Sequence, residues 1–454
     1  MAFVSSVVDA DLRKDIVKLD DAAVAESARL RVRKLLARPL SPGSAVQIAL
    51  LNNRNLQAAF NELGISEAQM VQASLPPNPT FSIARTSGSL TLEIERQILV
   101  NLLALATLPK RQEIARAKFK QAQLRAIEET LKLAADTRRA WFQAVGSRHK
   151  MSFLASANVN ARTVSQLFKK LGETGAVNKM DQAREHVFYA ELAGQLAMAR
   201  TEHQADREKL TRLMGLWSSK TRFKLPHRLP AMPRRPARKP LIEREAVKRN
   251  IAIAMAQAEV DTAIKTFGLT NATRFVNVLE LRGMSIFDRD KSVGPSGDLE
   301  KDIKRKKGVE LEIRVPIFDF GQARQREAEE TYKRAVNRLI AKAIDVRSTA
   351  RESYLRYRGS YDLAAHYRRQ VLPLRKIIAD ESLLRYNAML IDVFPLLAEA
   401  RQRIASNISY IAAQKAFWLA HADLHTAIIG GGATGGASSG EAPAMAAASG
   451  GAAH

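Results

Sequence analysis

The chain has 454 residues, no cysteine and a formal charge of +25. The lack of Cys excludes disulfides, thiolate metal sites and a cysteine nucleophile, and leaves the redox compartment open. The basic balance points to nucleic acid, an anionic membrane surface or acidic partners, or simply to a solvated basic surface; scatter of the charge through helical segments favours the last.

Residues 1–40 form an N-terminal segment. Its start, MAFVSSVVDADLRKDIVKLDD, lacks a basic n-region and meets acids too soon for a secretory signal. No stretch of the chain reaches the ~18 apolar residues of a transmembrane helix. That test is blind to a β-barrel. The expectation is a soluble protein, or one whose export signal is missing from this sequence.

Residues 41–75 read as one helix, with Ser41-Pro42 at its start and Pro76-Pro77 at its end. Residues 78–85 and 90–100 read as a strand pair turning at Ser87-Gly88-Ser89. From Pro109 to Leu171 there is no further Pro and a single Gly, Gly146. A helix of that extent is about 90 Å long at ~1.5 Å per residue. Gly172, Gly175, Ala176 and Val177 make a turn, and a second helix covers 178–214. Residues 218–240 are rich in Pro, Lys and Arg, carry no acid, and read as a linker.

The pattern then starts again. Arg54-Asn55-Leu56 matches Arg249-Asn250-Ile251 at an offset of 195. Arg111, Ala115, Phe119 and Ala122 match Arg324, Ala328, Tyr332 and Ala335 at an offset of 213. The surplus falls in the second hairpin, where 288–307 read as a long turn. In its second strand Val309, Leu311, Ile313 and Val315 alternate with Glu310, Glu312 and Arg314. A second helix turn follows at Asn387, Ala388 and Met389. The chain is thus read as a tandem repeat of helix, β-hairpin, long helix, helix: a first repeat at 41–217, a linker at 218–240, a second repeat at 241–429, and a disordered Gly/Ala/Ser tail at 430–454.

Seam residues, many of them small, step by threes and fours along both long helices, from Ala115 to Ala144 and from Ala328 to Tyr357. Such a seam lets helices approach closely, as in coiled coils. Two hairpins are marginal alone, and four strands are too few to close a barrel. Oligomerisation into a shared barrel resolves both problems. Apolar residues outside and Glu inside is the alternation of a membrane barrel with a wet lumen.

The segments AVQIALLNNRNLQAAF (45–60), PPNPTFS (76–82), GAVNKMDQAREHVFYAE (175–191), LTRLMGL (210–216), VELEIRVPIFDFGQARQREAE (309–329) and YNAMLIDVFPLLAEAR (386–401) resemble, in order and duplication, the TolC family of outer membrane efflux proteins. The resemblance implies a mainly α fold with a small β part, assembled as a homotrimer. Its α-helical barrel would continue into a twelve-stranded transmembrane β-barrel in outer membrane lipid. It also implies docking to a periplasmic adaptor protein and, through it, to an inner membrane pump. No nucleic acid is expected as a partner. The function implied is a passive exit duct for small molecules or ions. Two features depart from the family: the missing leader and the basic balance. The alternative is a basic coiled-coil scaffold or nucleic-acid-binding protein in the cytosol, which would not need two matching amphipathic hairpins.

No catalytic constellation, phosphate loop or cofactor motif is found, so no enzyme activity and no cofactor are expected. His421 and His425 share a helix face but lack a third ligand, so no metal site is assigned. Glu93, Glu95, Glu310 and Glu312 are candidate lumen residues, or simply the wet face of amphipathic strands. By resemblance, Asp380 and Glu381 are candidates for an acidic constriction at the periplasmic entrance; the bland reading is a solvated helix end. Also by resemblance, the tips Gly172, Gly175, Ala176, Val177 and Asn387, Ala388, Met389 are candidate adaptor contacts.

Overall fold

A computed structural model describes residues 2–217, 223–276, 278–293 and 299–432. The elements in order are α1 (Ala2–Leu12), α2 (Ala22–Leu36), α3 (Pro42–Asn52), α4 (Arg54–Ser74), β1 (Thr80–Ser87), β2 (Thr91–Asn101), α5 (Leu102–Ala106), α6 (Leu108–Glu173), α7 (Lys179–Leu213), α8 (Ile242–Arg249), α9 (Ile251–Ala272), β3 (Val278–Val293), β4 (Leu299–Arg314), α10 (Gln322–His366), α11 (Leu372–Asn387) and α12 (Val393–Ile429). A π-helical turn, Tyr367–Val371, joins α10 to α11. The chain is mainly helical, and its elements follow the order read from the sequence. No helix among the described residues is long and apolar enough to cross a membrane.

The chain divides into two compact units. One comprises 1–60, 126–252 and 343–454. One core cluster gathers Leu40, Ile48, Trp141, Phe142, Leu210 and Met214. Trp141 is almost fully buried and its indole N–H donates to the Leu40 carbonyl at 3.0 Å. A second cluster lies further along α6 and α7, where Leu154, Ala157, Leu192 and Leu196 pack with Ile404 and Ile408 of α12. The seam positions Thr130, Thr137, Ala140, Ala144, Ala350 and Tyr357 are all buried.

The described part of the basic linker does not hang free. Phe223, Leu225, Leu229 and Met232 are buried. Its carbonyls are also used: Leu40 N–H donates to Lys224 O at 2.9 Å, Trp418 Nε1 to Pro230 O at 3.1 Å, and Tyr361 Oη to Arg234 O at 2.6 Å. A segment rich in Pro has few backbone donors of its own, so its carbonyls are available to cap side chains from the helices. Residues 218–222, and the tail from 433 to 454, lie outside the described residues.

The helix read over 41–75 is two helices. Asn53, with ψ of 122°, separates α3 from α4. Its side-chain oxygen accepts from Asn55 N at 2.9 Å and Leu56 N at 3.2 Å, and its amide donates to Leu213 O at 2.9 Å. Asn250 repeats this between α8 and α9. Its ψ is again 122°, its oxygen accepts from Ala252 N at 3.0 Å, and its amide donates to Ala427 O at 3.1 Å. The true equivalents are therefore Asn53 and Asn250, two residues away from the Asn55 match. The capping geometry, which needs a short amide at the break, sets the alignment.

The π-helical turn has a related origin. The seam repeats at 213, but the turns of the two helical hairpins repeat at 214: Gly175 corresponds to Met389, and the N-caps Asn178 and Asp392 correspond. One extra residue has entered between them. A π-turn absorbs a single-residue insertion without breaking the helix. Pro373 follows at the second position of α11; it lacks an N–H, and a widened turn before it suits a ring that would otherwise clash with the carbonyl four residues back.

The second unit comprises 61–125 and 253–342. It holds one antiparallel sheet, ordered β1-β2-β3-β4. The 288–307 region is not a long turn, contrary to the expectation. β3 and β4 are 16 residues each and pair through Val293↔Leu299, against 8 and 11 residues for β1 and β2. Charged residues there do not break the ladder, because alternation sends them to opposite faces. Residues 294–298 lie outside the described ones.

Candidate functional site

Strand pairing places partnered residues on one face of the sheet. Arg282 pairs with Glu310, Glu280 with Glu312, Asp288 with Glu93, and Ile286 with Glu95. By register, the four glutamates singled out in the sequence lie on one polar face of the sheet. Arg282 was not singled out, although it lies at the centre of this face: its guanidinium contacts Glu310 at 3.1 Å and Glu312 at 3.9 Å. Arg314 contacts Glu312 at 3.3 Å. Glu95 accepts from the Gln97 side-chain amide. Glu280, Asp288, Asp290 and Asp302 join the same face by register. A signal for Arg282 existed in the alternation of 278–293, which only becomes legible once this segment is known to be strand.

The opposite face is apolar over three rows. Leu279 pairs with Ile313, then Leu281 with Leu311 and Val100, then Gly283 with Val309, Ile98 and Phe81. Val309, Leu311 and Ile313 are exposed, as are Val315, Ile317 and Phe318 beyond the strand. The outer edges of β1 and β4 have no strand partner among the described residues. Such edges and such a face are costly in water.

Asp380 and Glu381 lie in α11 and are exposed. Glu381 forms an i,i+4 ion pair with Arg385 at 3.2 Å. The two carboxylates are sequence neighbours, so they point about 100° apart around the helix.

Both helical hairpin turns share one hydrogen-bond pattern. In the first, Gly175 N donates to Gly172 O at 3.1 Å and Ala176 N to Leu171 O at 2.9 Å. In the second, Met389 N donates to Tyr386 O and Leu390 N to Arg385 O, both at 2.9 Å. This is the double bond of a Schellman motif. Gly175 takes the left-handed position with φ of 75°, and Met389 takes it in the second turn with φ of 57°. Met389 is 93% exposed. Asn387 and Ala388 flank this position but do not occupy it.

His421 sits among the rings of Tyr357, Phe417 and Trp418. Burial, with the Arg138 and His421 charges nearby, pushes His425 down to about 4. No group of three or more candidate metal ligands occurs among the described residues. Elsewhere in the same unit, hydrogen bonds from Arg351 and Arg347 hold the Glu243 carboxyl down to about 2.

No protein-family model matches the chain. The chain is 24% identical over 324 residues to the cobalt-zinc-cadmium resistance protein CzcC of Cupriavidus metallidurans, spanning 68% of this chain and 71% of that one. Among solved structures it is similar to CusC (TM-score 0.70, 16% identity, 86% of this chain and 92% of that one). It is also similar to the outer-membrane channel OprN (0.70, 18%, 93% and 96%). A further likeness is to the MtrE outer membrane channel of Neisseria gonorrhoeae (0.67, 17%, 88% and 89%). None of these relatives supports the reading as a cytosolic scaffold or nucleic-acid-binding protein. The chain has the fold of these outer membrane channels, and the resemblance to the TolC family read from its sequence is borne out.

Proposed function

We propose that this protein is the outer membrane exit duct of a tripartite efflux or secretion system. It is a passive conduit and catalyses no reaction. Three chains each give four strands to one twelve-stranded barrel and their long helices to an α-helical barrel in the periplasm. A periplasmic adaptor docks on the helical tips around Gly175 and Met389 and links the duct to an inner membrane pump. The observation that carries this reading is the four-stranded sheet, with an acid-rich face, an apolar face and two open edges. A second and third copy would pair those edges, and lipid would cover the apolar face.

The polar face carries Glu93, Glu95, Glu310 and Glu312 toward the lumen, which suits cationic cargo. The name of the relative CzcC, which refers to cobalt, zinc and cadmium, supports the same class. Asp380 and Glu381 from three chains are the candidate entrance constriction. Because Glu381 is paired with Arg385, Asp380 is the stronger candidate for the unneutralised charge.

The test is reconstitution of the full chain in planar bilayers, with sedimentation in detergent alongside. Expected are a stable trimer and step-like conductance that prefers cations over anions. A stable monomer without conductance would overturn the reading.

A further inference from the structure

The cations of the sheet are divided unequally between its faces. The polar face carries Arg282, Lys304, Lys306 and Arg314, and every one is in an ion pair. Arg282 contacts Glu310 and Glu312, Lys304 contacts Asp302 at 2.8 Å, Lys306 contacts Asp288 at 3.2 Å, and Arg314 contacts Glu312. The apolar face also carries cations, and their situation is the reverse. Above the three uncharged rows, Arg96 and Lys307 share a row through Ser285. Arg85 and Arg305 share the next through Ile94 and Phe287, Arg289 lies in the one above, and Lys291 pairs with Lys301 in the last. No acid stands in these four rows of that face, and none of these cations forms an ion pair among the described residues. Among the described residues, the one side-chain interaction of this group is Arg305 over the Phe287 ring at 5.8 Å.

This is a rim of cations directly bordering a hydrophobic band, interleaved with Ile83, Ile94 and Ile303. Unpaired Lys or Arg on a lipid-facing barrel wall is costly at the midplane and nearly free at the interface. Long basic side chains can also lie along apolar surface and extend their charge outward. Anionic phosphate at the edge of a hydrocarbon layer matches both properties, and guanidinium–phosphate pairs are charge-assisted and often bidentate. Nucleic acid offers the phosphate but not the adjoining hydrocarbon. Resting on the barrel reading above, we infer that the rim at the hairpin-turn end of the sheet binds the phosphates of a phosphorylated membrane lipid, with its acyl chains on the apolar rows around Phe81, Ile98, Val309 and Leu311.

The full chain is to be purified in detergent and mixed with bis-phosphorylated lipid A or with its dephosphorylated form, and retained lipid counted by native mass spectrometry. Wild type is expected to retain the phosphorylated lipid about ten-fold or more over the dephosphorylated one. Combining Arg85→Gln, Arg96→Gln, Arg305→Gln and Lys307→Gln should abolish that preference. Lys304→Gln with Lys306→Gln, on the polar face, should leave it intact. Equal retention of the two lipids by wild type overturns the inference, as does equal loss in both variants. Insertion into neutral phosphatidylcholine vesicles separates the two ideas. A wild type that inserts but does not select phosphate refutes the rim alone, whereas one that inserts into no vesicle refutes the barrel and the rim together.

Discussion

Replacing Ile313 by Arg puts a cation on the apolar face of the sheet. On β4 the outward apolar positions are Val309, Leu311 and Ile313, and the exposed Val315 and Ile317 follow beyond the strand. Together they make an apolar run close to the ~9–11 residues of a strand crossing a bilayer, with Ile313 away from both of its ends. Ile313 is directly opposite Leu279, with Leu281 and Leu311 in the adjacent row and no acid on that face to pair with. The expected cost is about 2–4 kcal/mol per chain, one to three orders of magnitude in the folding equilibrium. Val309→Arg borders the cation rim and should cost about 0–1 kcal/mol. Glu312→Gln removes a half-buried partner of Arg282 and Arg314 on the polar face and should fold nearly as wild type. The assay is urea-dependent insertion into phosphatidylcholine vesicles, read by heat-modifiable gel mobility. Equal insertion of all three variants, or greatest loss in Glu312→Gln, would refute the face assignment, since a one-residue slip exchanges the two faces.

At the proposed entrance, Asp380→Asn with Glu381→Gln should weaken block by a trivalent cation from the periplasmic side in single-channel recording; an unchanged blocking constant would make these carboxylates a solvated helix end. Gly175 has open space where a Cβ would go, so Gly175→Ala should destabilise the tip by the backbone term alone, about 1–2 kcal/mol, while Met389→Gly should relieve the same strain in the second turn; hydrogen exchange at residues 170–180 and 384–394 would show both. Deleting Arg368 should convert the π-turn to regular α-helix in register with α6, and a thermal midpoint far below wild type would argue that the turn is needed. His425 is depressed to about 4 in the folded chain against ~6.5 unfolded, so the unfolded state takes up its proton first: the contribution is intact above pH ~6.5 and is lost on acidification toward pH 4, on the order of 1 kcal/mol after solvent screening. His425→Gln should flatten urea midpoints over that window, and an unchanged slope would refute the assignment.

Much of this architecture is legible without coordinates, because the signals are local. The freedom of 110–171 from Pro and all but one Gly makes a long helix, Pro76-Pro77 ends one, and the alternation of 309–315 makes an amphipathic strand. The duplication tells where the second set belongs, and the faces of Glu93, Glu95, Glu310 and Glu312 follow from a period of two. What escaped the sequence depends on partners distant in the chain. Asn53 breaks a helix because its amide reaches Leu213, and Asn250 does so because its amide reaches Ala427; no nearby residue announces either. Residues 288–307 look like a turn from their charges alone. They become strand because each charge is sorted by register, lysines 304 and 306 to acids on one face, Arg305 and Lys307 to the other. The left-handed position at Met389 is likewise set by the two hydrogen bonds that close α11, which outweigh the local preference of methionine. Local chemistry chooses the elements; pairing between residues far apart chooses where they break, how far they extend and which charges are left without a partner.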